Sequence, residues 1–560
     1  MYFKAVSLFF IVSFVSSQVL PPSGLRRVSP GPTVVTPSGS FQGQEETYDI
    51  FRRIITFKGI RYGQAPVGNL RFRQALPAAR LASTQQAWEF GSRCPQFTLL
   101  SQRLIGEEDC LFLNIATPTR IRSRLPVLFL IHGGGLQFGG GESDLLGPEL
   151  IIQENVITVA LNYRLNVLGF LSTADQHSPG NYAIKDIILA LQWVSRNIES
   201  FGGDPNDITI SGSSGGAVAA HALVVSRAAA GLFHKAIISS GNLFSAWAFQ
   251  RNPEVQVRNL ANNLGLFYRN NEELMVQLRQ VSIVRLMNAA GGLHSSTHIM
   301  FSPMDFITSL DPVDSLEPRI FTAPIDDLIR SGNINQVPLL TGHTSDENLF
   351  TANDNPLILE RFNANPNLLI PPHWNITPNS LEANEVITAF RNLYFRGNRN
   401  ITVDLALEWS HYCSDRDFNF GMSRMIRLQW NRQSIYSYKF SYVGALNLFR
   451  RFLRIGDDLP GAVHGDDALY VYRVNRFVLP ISSSDEAFVV QRKCVRMWTN
   501  FIKFNNPTPT TLDPLLRGVT WSKVSENKEF LDIDGPLTNG RYPLKERMEV
   551  WHNFDVKFST

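Results

Sequence analysis

The amino-acid sequence predicts an α/β fold, with a large central and mostly parallel β-sheet flanked by helices. Apolar runs rich in β-branched residues alternate along the chain with helical stretches, as in strands that are joined by helical crossovers. Such runs are found at 127–131, 156–161, 208–211 and 235–239, and the amphipathic stretch 184–198 separates the second from the third. The chain has 560 residues, 44% of them hydrophobic and 18% charged, so it can bury a large core.

The N-terminus predicts a secretory signal peptide over residues 1–17. Its apolar stretch 5–15 ends in small and polar residues and is shorter than the roughly 20 residues that span a bilayer. An N-terminal anchor or a buried strand is the alternative. Residues 18 to about 48 are rich in Pro, Gly and Ser and are expected to lead into the fold as an extended segment. The remainder shows no internal repeat and no long linker, which favours a single domain over residues 18–560.

The charge pattern excludes several classes of partner. The net charge is +3 and the pI is about 8.6, and no long block of Lys and Arg is present that would neutralise a row of phosphates. Nucleic acid is therefore not an expected partner. No later segment is long and apolar enough for a membrane span, and residues 551–560 are polar and charged, unlike the apolar tail of a lipid-anchor signal. A soluble, extracellular protein is expected.

Four cysteines allow three complete pairings in an oxidising compartment. Cys94 and Cys110 are close in sequence and flank a polar loop, so we predict that they pair. For Cys413 and Cys494, a second disulfide and two buried thiols both remain open, because a buried free cysteine is an ordinary core residue.

Two Asn-Ile-Thr sequons, at Asn375 and Asn400, are expected to be glycosylated only if they are exposed on a secreted protein. The first is the weaker acceptor, because Pro378 follows its threonine.

The strongest local motif is the segment 208–220, ITISGSSGGAVAA. A short β-branched strand runs into a Gly-x-Ser-x-Gly turn, and small residues that can pack as a helix follow, which is the context of a nucleophile elbow. Gly212 and Gly216 let the strand and the helix approach closely, while Ser214 is held exposed in a strained conformation. A Gly/Ser-rich turn without chemistry is the alternative. The flanking strand and helix favour a nucleophilic serine.

A second motif, His132-Gly133-Gly134-Gly135, directly follows the apolar run 127–131. Three consecutive glycines disfavour regular structure, so they indicate a place where backbone N–H groups approach a ligand closely. An oxyanion hole needs two or three such donors, each worth about 3 to 4 kcal/mol in the transition state. We assign this role to Gly134, Gly135 and, at the start of the helix after the elbow, Gly215. A flexible loop is the alternative, and His132 is expected to form a structural hydrogen bond behind the loop.

A serine hydroxyl needs a base to take its proton and an acid to orient that base. After a nucleophile elbow the chain order is serine, acid, histidine, but several histidines lie downstream of Ser214. His464 lies in the glycine-flanked segment 461–467, which is suited to presenting an imidazole. For the acid, 337–342 is predicted to be a strand followed by a turn, and Asp346 and Glu347 come just after it. Spacing alone leaves both carboxylates open.

These motifs resemble the type-B carboxylesterase and cholinesterase family of α/β-hydrolases. The segment FGGDPN at 201–206, leading into GSSGG at 212–216, is similar to the family's active-serine signature, and EDCLFLN at 108–114 is similar to its second signature. Residues 162–171 and 231–237 resemble further family segments. The likeness extends from about residue 34 to about residue 555.

The resemblance implies an α/β-hydrolase fold and assigns the open positions. It implies that Ser214 is the nucleophile, Glu347 the acid and His464 the base. It also implies the oxyanion donors Gly134, Gly135 and Gly215 and the disulfide between Cys94 and Cys110. Ser240 is expected to support the acid from behind. His221 is expected to be a packing residue and His343 a bystander. No metal and no organic cofactor is implied.

Four positions depart from the family pattern. Ser213 stands where a glutamate or another larger polar residue is common, and Ile187 stands where glutamine is usual. Asn348 follows the acid where glycine is usual. Leu136 replaces the common aromatic residue after the glycines and is expected to reshape one wall of the pocket. No catalytic group is lost, so these changes are expected to affect rate and specificity.

The predicted function is that of a secreted serine carboxylesterase, which hydrolyses neutral carboxylic esters through an acyl-enzyme on Ser214. The expected partner is a small-molecule ester. The alternative is a non-catalytic, cholinesterase-like binding or adhesion protein, since fold does not determine function. Such relatives usually lack a triad residue and often carry a transmembrane stem, whereas this sequence keeps all three triad residues and shows no stem. The physiological ester and the oligomeric state are not predicted by the sequence.

Overall fold

The computed structural model describes residues 27–49, 52–98, 101–143, 146–291, 305–353, 356–397, 400–456, 459–475, 482 and 484–558. The predicted signal peptide, residues 1–17, lies outside the described residues. Within them, no helix is both long and apolar enough to cross a membrane.

A mixed β-sheet forms the centre of the molecule. The strands of the described residues are β1 Arg27–Thr36, β2 Gly39–Asp49, β3 Arg52–Arg61, β4 Gln85–Gln86, β5 Gln96–Phe97, β6 Leu104–Ile105, β7 Phe112–Pro118, β8 Leu125–Ile131, β9 Ile157–Leu161, β10 Gly203–Ser213, β11 Lys235–Ser239, β12 Phe249–Gln250, β13 Thr308–Ser309, β14 Leu339–Thr344, β15 Ile435–Phe440, β16 Glu529–Ile533 and β17 Leu537–Arg541. Of these, 13 form the central sheet, in the order β1-β2-β3-β7-β9-β8-β10-β11-β14-β15-β16-β17 with β4 paired to β2, and two small two-stranded sheets pair β5 with β6 and β12 with β13. The strands from β9 to β16 in this order are mutually parallel, whereas the strands at both edges are antiparallel.

Helices connect the parallel strands and pack on the sheet. A π-helical turn, Asp415–Asn419, joins two of them into one continuous helical segment. The α-helices are α1 Glu149–Gln153, α2 Asn166–Phe170, α3 Tyr182–Asn197, α4 Gly215–Val225, α5 Pro253–Leu264, α6 Asn271–Gln280, α7 Ile283–Ala290, α8 Ile325–Arg330, α9 Pro356–Ala364, α10 Leu381–Tyr394, α11 Ala406–Ser414, α12 Phe420–Gln429, α13 Leu448–Phe452, α14 Glu486–Phe504 and α15 Lys545–Phe558.

The central strands are buried on both faces, which explains why their sequences are continuously apolar. In β8, Val127, Phe129 and Ile131 pack into one large core with helices α3 and α4. Leu128 and Leu130 point the other way, into a second core that includes residues of α14. This alternation places helices on both faces of the sheet and confirms the predicted α/β architecture.

The predicted extended segment, 18 to about 48, is extended over its described part, where it forms the antiparallel pair β1 and β2 at one edge of the sheet. The turn predicted at the end of 337–342 is wrong, because β14 continues through Gly342 to Thr344. A Cβ on Gly342 would lie 2.4 Å from the Tyr438 ring of the neighbouring strand, so glycine here provides space rather than a turn.

The cysteines fall into two groups. Cys94 and Cys110 form a disulfide with a Cα–Cα distance of 5.0 Å, as predicted. Cys413 and Cys494 are both buried, but they belong to different core clusters and form no disulfide, so the second-disulfide alternative is wrong. Both sequon residues, Asn375 and Asn400, are exposed.

Candidate active site

The predicted nucleophile elbow lies between the end of β10 and the start of α4. Ser214 is the single residue between them and has φ 58° and ψ −125°, a conformation that side-chain-bearing residues rarely adopt. Its N–H donates to the Ser239 carbonyl at 2.9 Å. A Cβ on Gly212 would lie 2.1 Å from the Gly216 carbonyl oxygen, so neither glycine of the motif has room for a side chain. The motif therefore holds Ser214 at a sharp strand-to-helix turn.

The three-glycine loop lies directly against the start of α4. Gly134 and Gly135 both have positive φ, 109° and 59°. A Cβ on Gly215 would lie 2.8 Å from the backbone nitrogen of Gly135, which measures how closely the two segments approach. Neither Gly134 nor Gly135 donates its N–H to another group in the described part of the chain. These N–H groups are available to an oxygen atom bound beside Ser214.

His132 supports the glycine loop from behind. Its Nδ1 donates to the Gly133 carbonyl at 2.8 Å, and its ring stacks on Tyr163 with the centroids 4.3 Å apart. The Tyr163 hydroxyl donates to the His132 carbonyl at 2.7 Å. Burial lowers the pKa of His132 to about 4, so its imidazole is neutral and structural, as predicted.

The structure brings Glu347 and His464 together across 117 residues of sequence. His464 Nδ1 donates to Glu347 Oε2 at 2.6 Å. The other carboxylate oxygen, Oε1, accepts from Ser240 Oγ at 2.5 Å and from the Thr344 N–H at 2.8 Å. Glu347 is fully buried, whereas the His464 side chain is 18% exposed. The buried carboxylate is thus fully hydrogen-bonded, and its histidine partner reaches accessible space.

The two groups shift each other's pKa. Burial is the largest influence on His464 and lowers its pKa, but the charge and hydrogen bond of Glu347, helped by Asp467 and Asp466, raise it above the usual value overall. Burial likewise raises the pKa of Glu347, but His464 and the hydrogen bond from Ser240 outweigh it, and the net pKa is lowered. The site therefore favours an ionised Glu347 that stabilises a charged imidazole.

Asp346, the other candidate acid, points elsewhere. Its Oδ1 lies 3.4 Å from His411 Nε2, and its Oδ2 occupies the space where a side chain on Gly461 would stand. The structure therefore pairs His464 with Glu347 and not with Asp346.

The residues that depart from the family pattern and the two histidines without a predicted catalytic role lie in different environments. Leu136 is fully buried in the main core, so the prediction that it forms a wall of an accessible pocket is wrong. Ile187 is also fully buried in that core, whereas Ser213 is partly exposed beside Ser214. His221 is fully buried and hydrogen-bonded to Gln429 and Leu243, and His343 is buried with its Nδ1 bonded to the Thr344 carbonyl.

Two contacts at the site were not predicted from the sequence. The Phe418 ring, in the π-helical turn, lies 4.6 Å from the His464 ring with the planes 34° apart. The Gln96 amide, in the disulfide loop, donates to and accepts from the Gly139 backbone at 2.7 and 2.8 Å, beyond the glycine loop. Both contacts join distant segments, and no local pattern marks either residue.

Comparison with known proteins agrees with this geometry. The model of the carboxylesterase family matches residues 30–551. The chain belongs to the carboxylesterase family. This carboxylesterase is 34% identical over 455 residues to a carboxylic ester hydrolase of Bombus ignitus, covering 79% of this chain and 80% of the relative. It is 33% identical over 494 residues to a juvenile hormone esterase of Heliothis virescens, covering 84% and 85%.

A solved structure shares the fold of this carboxylesterase. The juvenile hormone esterase of Manduca sexta, solved with OTFP covalently attached, matches with a TM-score of 0.83 and 29% identity. The match covers 94% of this chain and 99% of the other. The fold is that of an α/β-hydrolase, and the chain is a carboxylic ester hydrolase.

Proposed function

We propose that this carboxylesterase is a secreted serine enzyme that hydrolyses neutral carboxylic esters through an acyl-enzyme on Ser214. The observation that carries the proposal is the pair formed by His464 and the buried Glu347, joined at 2.6 Å with Nδ1 facing the carboxylate. This pairing fixes the proton on Nδ1 and leaves Nε2 as the basic nitrogen. The strained elbow and the available N–H groups of Gly134 and Gly135 support the same chemistry.

In the proposed mechanism, His464 Nε2 takes the Ser214 proton while Ser214 Oγ attacks the ester carbonyl carbon. The N–H groups of Gly134, Gly135 and Gly215 bind the oxyanion, and the start of α4 adds its favourable dipole. The imidazolium then donates its proton to the leaving alcohol, and the acyl group remains on Ser214. Water repeats the sequence and releases the acid. Glu347 stays ionised throughout, while Ser240 and Thr344 hold its other oxygen.

The preference for uncharged esters rests on the surroundings of the base. The Glu347 carboxylate beside the base is buried and already paired with His464, so it is not free to attract a cation. A panel of neutral esters graded by acyl length measures the acyl preference. Because two relatives are named juvenile hormone esterase, a juvenile hormone ester belongs in that panel.

The test of the nucleophile uses a fluorophosphonate probe and two neighbouring serines. Ser214→Ala should fold normally, lose probe labelling and lose nearly all esterase activity, retaining about 10³ to 10⁴-fold catalysis over water from the oxyanion hole and binding. Ser213→Ala is the matched control and should keep the label, which peptide mass spectrometry should place on Ser214. A Ser214→Ala enzyme with more than a few per cent of the wild-type kcat contradicts the assignment. A wild-type chain that neither reacts with the probe nor hydrolyses any ester would favour the binding-protein alternative.

Secretion is proposed from the N-terminal sequence, with the mature chain beginning near residue 18 as a single domain. Exposure of Asn375 and Asn400 is consistent with glycosylation at both sequons. Expression in insect cells should release the protein into the medium with an N-terminus near residue 18, and a glycosidase that removes N-linked sugars should lower its mass. Retention of residues 1–17 in the cell-associated protein would contradict cleavage of a signal peptide.

A further inference from the structure

Asn348, the residue after the acid, is tied firmly to one helical segment. Its N–H donates to Ser414 Oγ at 2.9 Å, and its side-chain Nδ2 donates to the Cys413 carbonyl at 3.0 Å and to Asp417 Oδ2 at 2.8 Å. Asn348 is fully buried. Both partners of Nδ2 are acceptors, so the amide orientation follows from its surroundings.

The same helical segment also contacts the base. Asp417 is fully buried, and its second oxygen, Oδ1, accepts from Arg416 Nε at 2.9 Å. Its carbonyl accepts from the Trp247 indole N–H at 3.1 Å. The next residue, Phe418, lies with its ring 4.6 Å from that of His464. Residues 413–418 thus contact the acid loop through Asn348 and the base through Phe418.

The π-helical turn makes this double contact possible. Regular α-helix continues on both sides of Asp415–Asn419, and the wider turn adds a residue within the helix. Asp417 faces Asn348 while its neighbour Phe418 faces His464. The acid loop and the base are therefore contacted by adjacent residues of one continuous helical segment.

We propose that Asn348 and Asp417 are positioning residues, which hold the acid loop against residues 413–418 so that Glu347 and His464 stay within hydrogen-bond distance. The proposal rests on the proposed function and deepens it. A glycine at 348 would keep the backbone bond to Ser414 but would lose both side-chain bonds. The Asp417 carboxylate would then be buried with one fewer donor, which is unfavourable.

The first test is Asn348→Gly, assayed with a neutral ester across pH 5 to 9. At pH 8 kcat should fall about tenfold, a change of about 1.4 kcal/mol in the barrier, while KM changes little. The pH midpoint should move down, because a looser contact with Glu347 raises the His464 pKa less while burial still lowers it. The other titratable groups that act on the pair, Asp466, Asp467 and His343, are unchanged in this variant.

Exchanging the amide and the carboxylate makes the test independent of general destabilisation. Asn348→Asp places two carboxylates against each other, and kcat should fall further than with glycine. Adding Asp417→Asn restores this one bond in the opposite sense, since the new amide at 417 donates to the carboxylate at 348 while its oxygen still accepts from Arg416, whereas the bond to the Cys413 carbonyl stays lost. Partial recovery of kcat and of the pH midpoint is expected in the double variant.

Asn335→Gly is the matched structural control. Asn335 Nδ2 also donates to two carbonyls, those of Leu223 and Ser226, each at 2.8 Å, at the far end of α4 from the elbow. This variant should lower the melting temperature without moving the pH midpoint. If Asn348→Gly does not fold, Ser414→Ala removes one bond and should show the same shift on a smaller scale. Wild-type kcat and pH midpoint in the folded 348 or 414 variants overturn the proposal, whereas an inactive wild type overturns the proposed function itself.

Discussion

Replacing Glu347 by Gln should disable the base without removing any atom position from the site. One carboxylate oxygen accepts from the Thr344 N–H at 2.8 Å, and a backbone N–H can only donate. The carbonyl oxygen of the new amide must therefore face Thr344, and its NH₂ must face His464 Nδ1 at the position that now accepts at 2.6 Å. A donor at that position requires Nδ1 to be the acceptor. The proton of the neutral imidazole then moves to Nε2. A protonated Nε2 cannot accept the Ser214 proton.

The size of the effect follows from this tautomer change. In serine proteases the equivalent acid-to-amide change keeps the geometry and lowers kcat about 10⁴-fold, because the imidazole holds its proton on the wrong nitrogen. At 1.36 kcal/mol per factor of ten, this corresponds to about 5 kcal/mol of transition-state stabilisation. The burial of Glu347 keeps the effect near this value, since water cannot enter to replace the lost acceptor.

The assay is kcat and kcat/KM for a neutral ester at pH 8, with folding checked by the melting temperature. Asp346→Asn is the matched control, because Asp346 is the adjacent acid and its Oδ1 lies 3.4 Å from His411 Nε2, outside the Glu347–His464 pair. It should change kcat less than about threefold, because the Asp346 side chain does not contact that pair. Equal losses in the two variants, or a larger loss in Asp346→Asn, would refute the assignment of Glu347.

Two further predictions concern the base and the substrate. Activity should be lost on acidification with a midpoint above about 6.5, because only neutral His464 can accept a proton and the net effect of its surroundings raises its pKa; a rate that does not change from pH 5 to 8 excludes a histidine base. Choline esters should be poor substrates, because a quaternary ammonium is usually held by the face of a Trp or Tyr ring, each worth about 0.5 to 2 kcal/mol. The loop from Cys94 to Cys110 contains no Trp or Tyr, its single aromatic Phe97 is buried, and the Trp88 indole is hydrogen-bonded to Gly43 at the sheet edge. Comparison of kcat/KM for butyrylthiocholine and an uncharged butyrate ester tests this, and a clear preference for the cation would reveal an aromatic cage elsewhere.

The features that were predictable from sequence are those formed within a few consecutive residues. The elbow at Ser214 and the glycine loop at 133–135 depend on local backbone conformations that only glycine-rich segments tolerate, so their residue patterns are specific. The alternation of apolar and helical stretches predicted the parallel sheet for a similar reason. Strand and helix periodicities are local properties of the chain.

Residue spacing left Asp346 and Glu347 both open, the family resemblance implied Glu347, and the contact with His464 itself depends on the tertiary structure. Both carboxylates follow β14 by only two or three residues, and a shift of one residue reverses which side chain faces the base. The loop that carries His464 is 117 residues further along the chain, and its position is set by packing rather than by spacing. Whether Cys413 and Cys494 form a disulfide was open for the same reason, because it depends on the two separate cores that bury them.

The contacts that residues 413–418 make near His464 were likewise not predictable from the sequence. Nothing in residues 413–418 predicts a π-helical turn, because the wider turn is stabilised by partners from elsewhere, such as Asn348 and Trp247. Local residue preferences determine which segment can form an elbow or a strand. Long-range packing and buried hydrogen bonds determine which acid meets which base, since these contacts are chosen by the folded core as a whole.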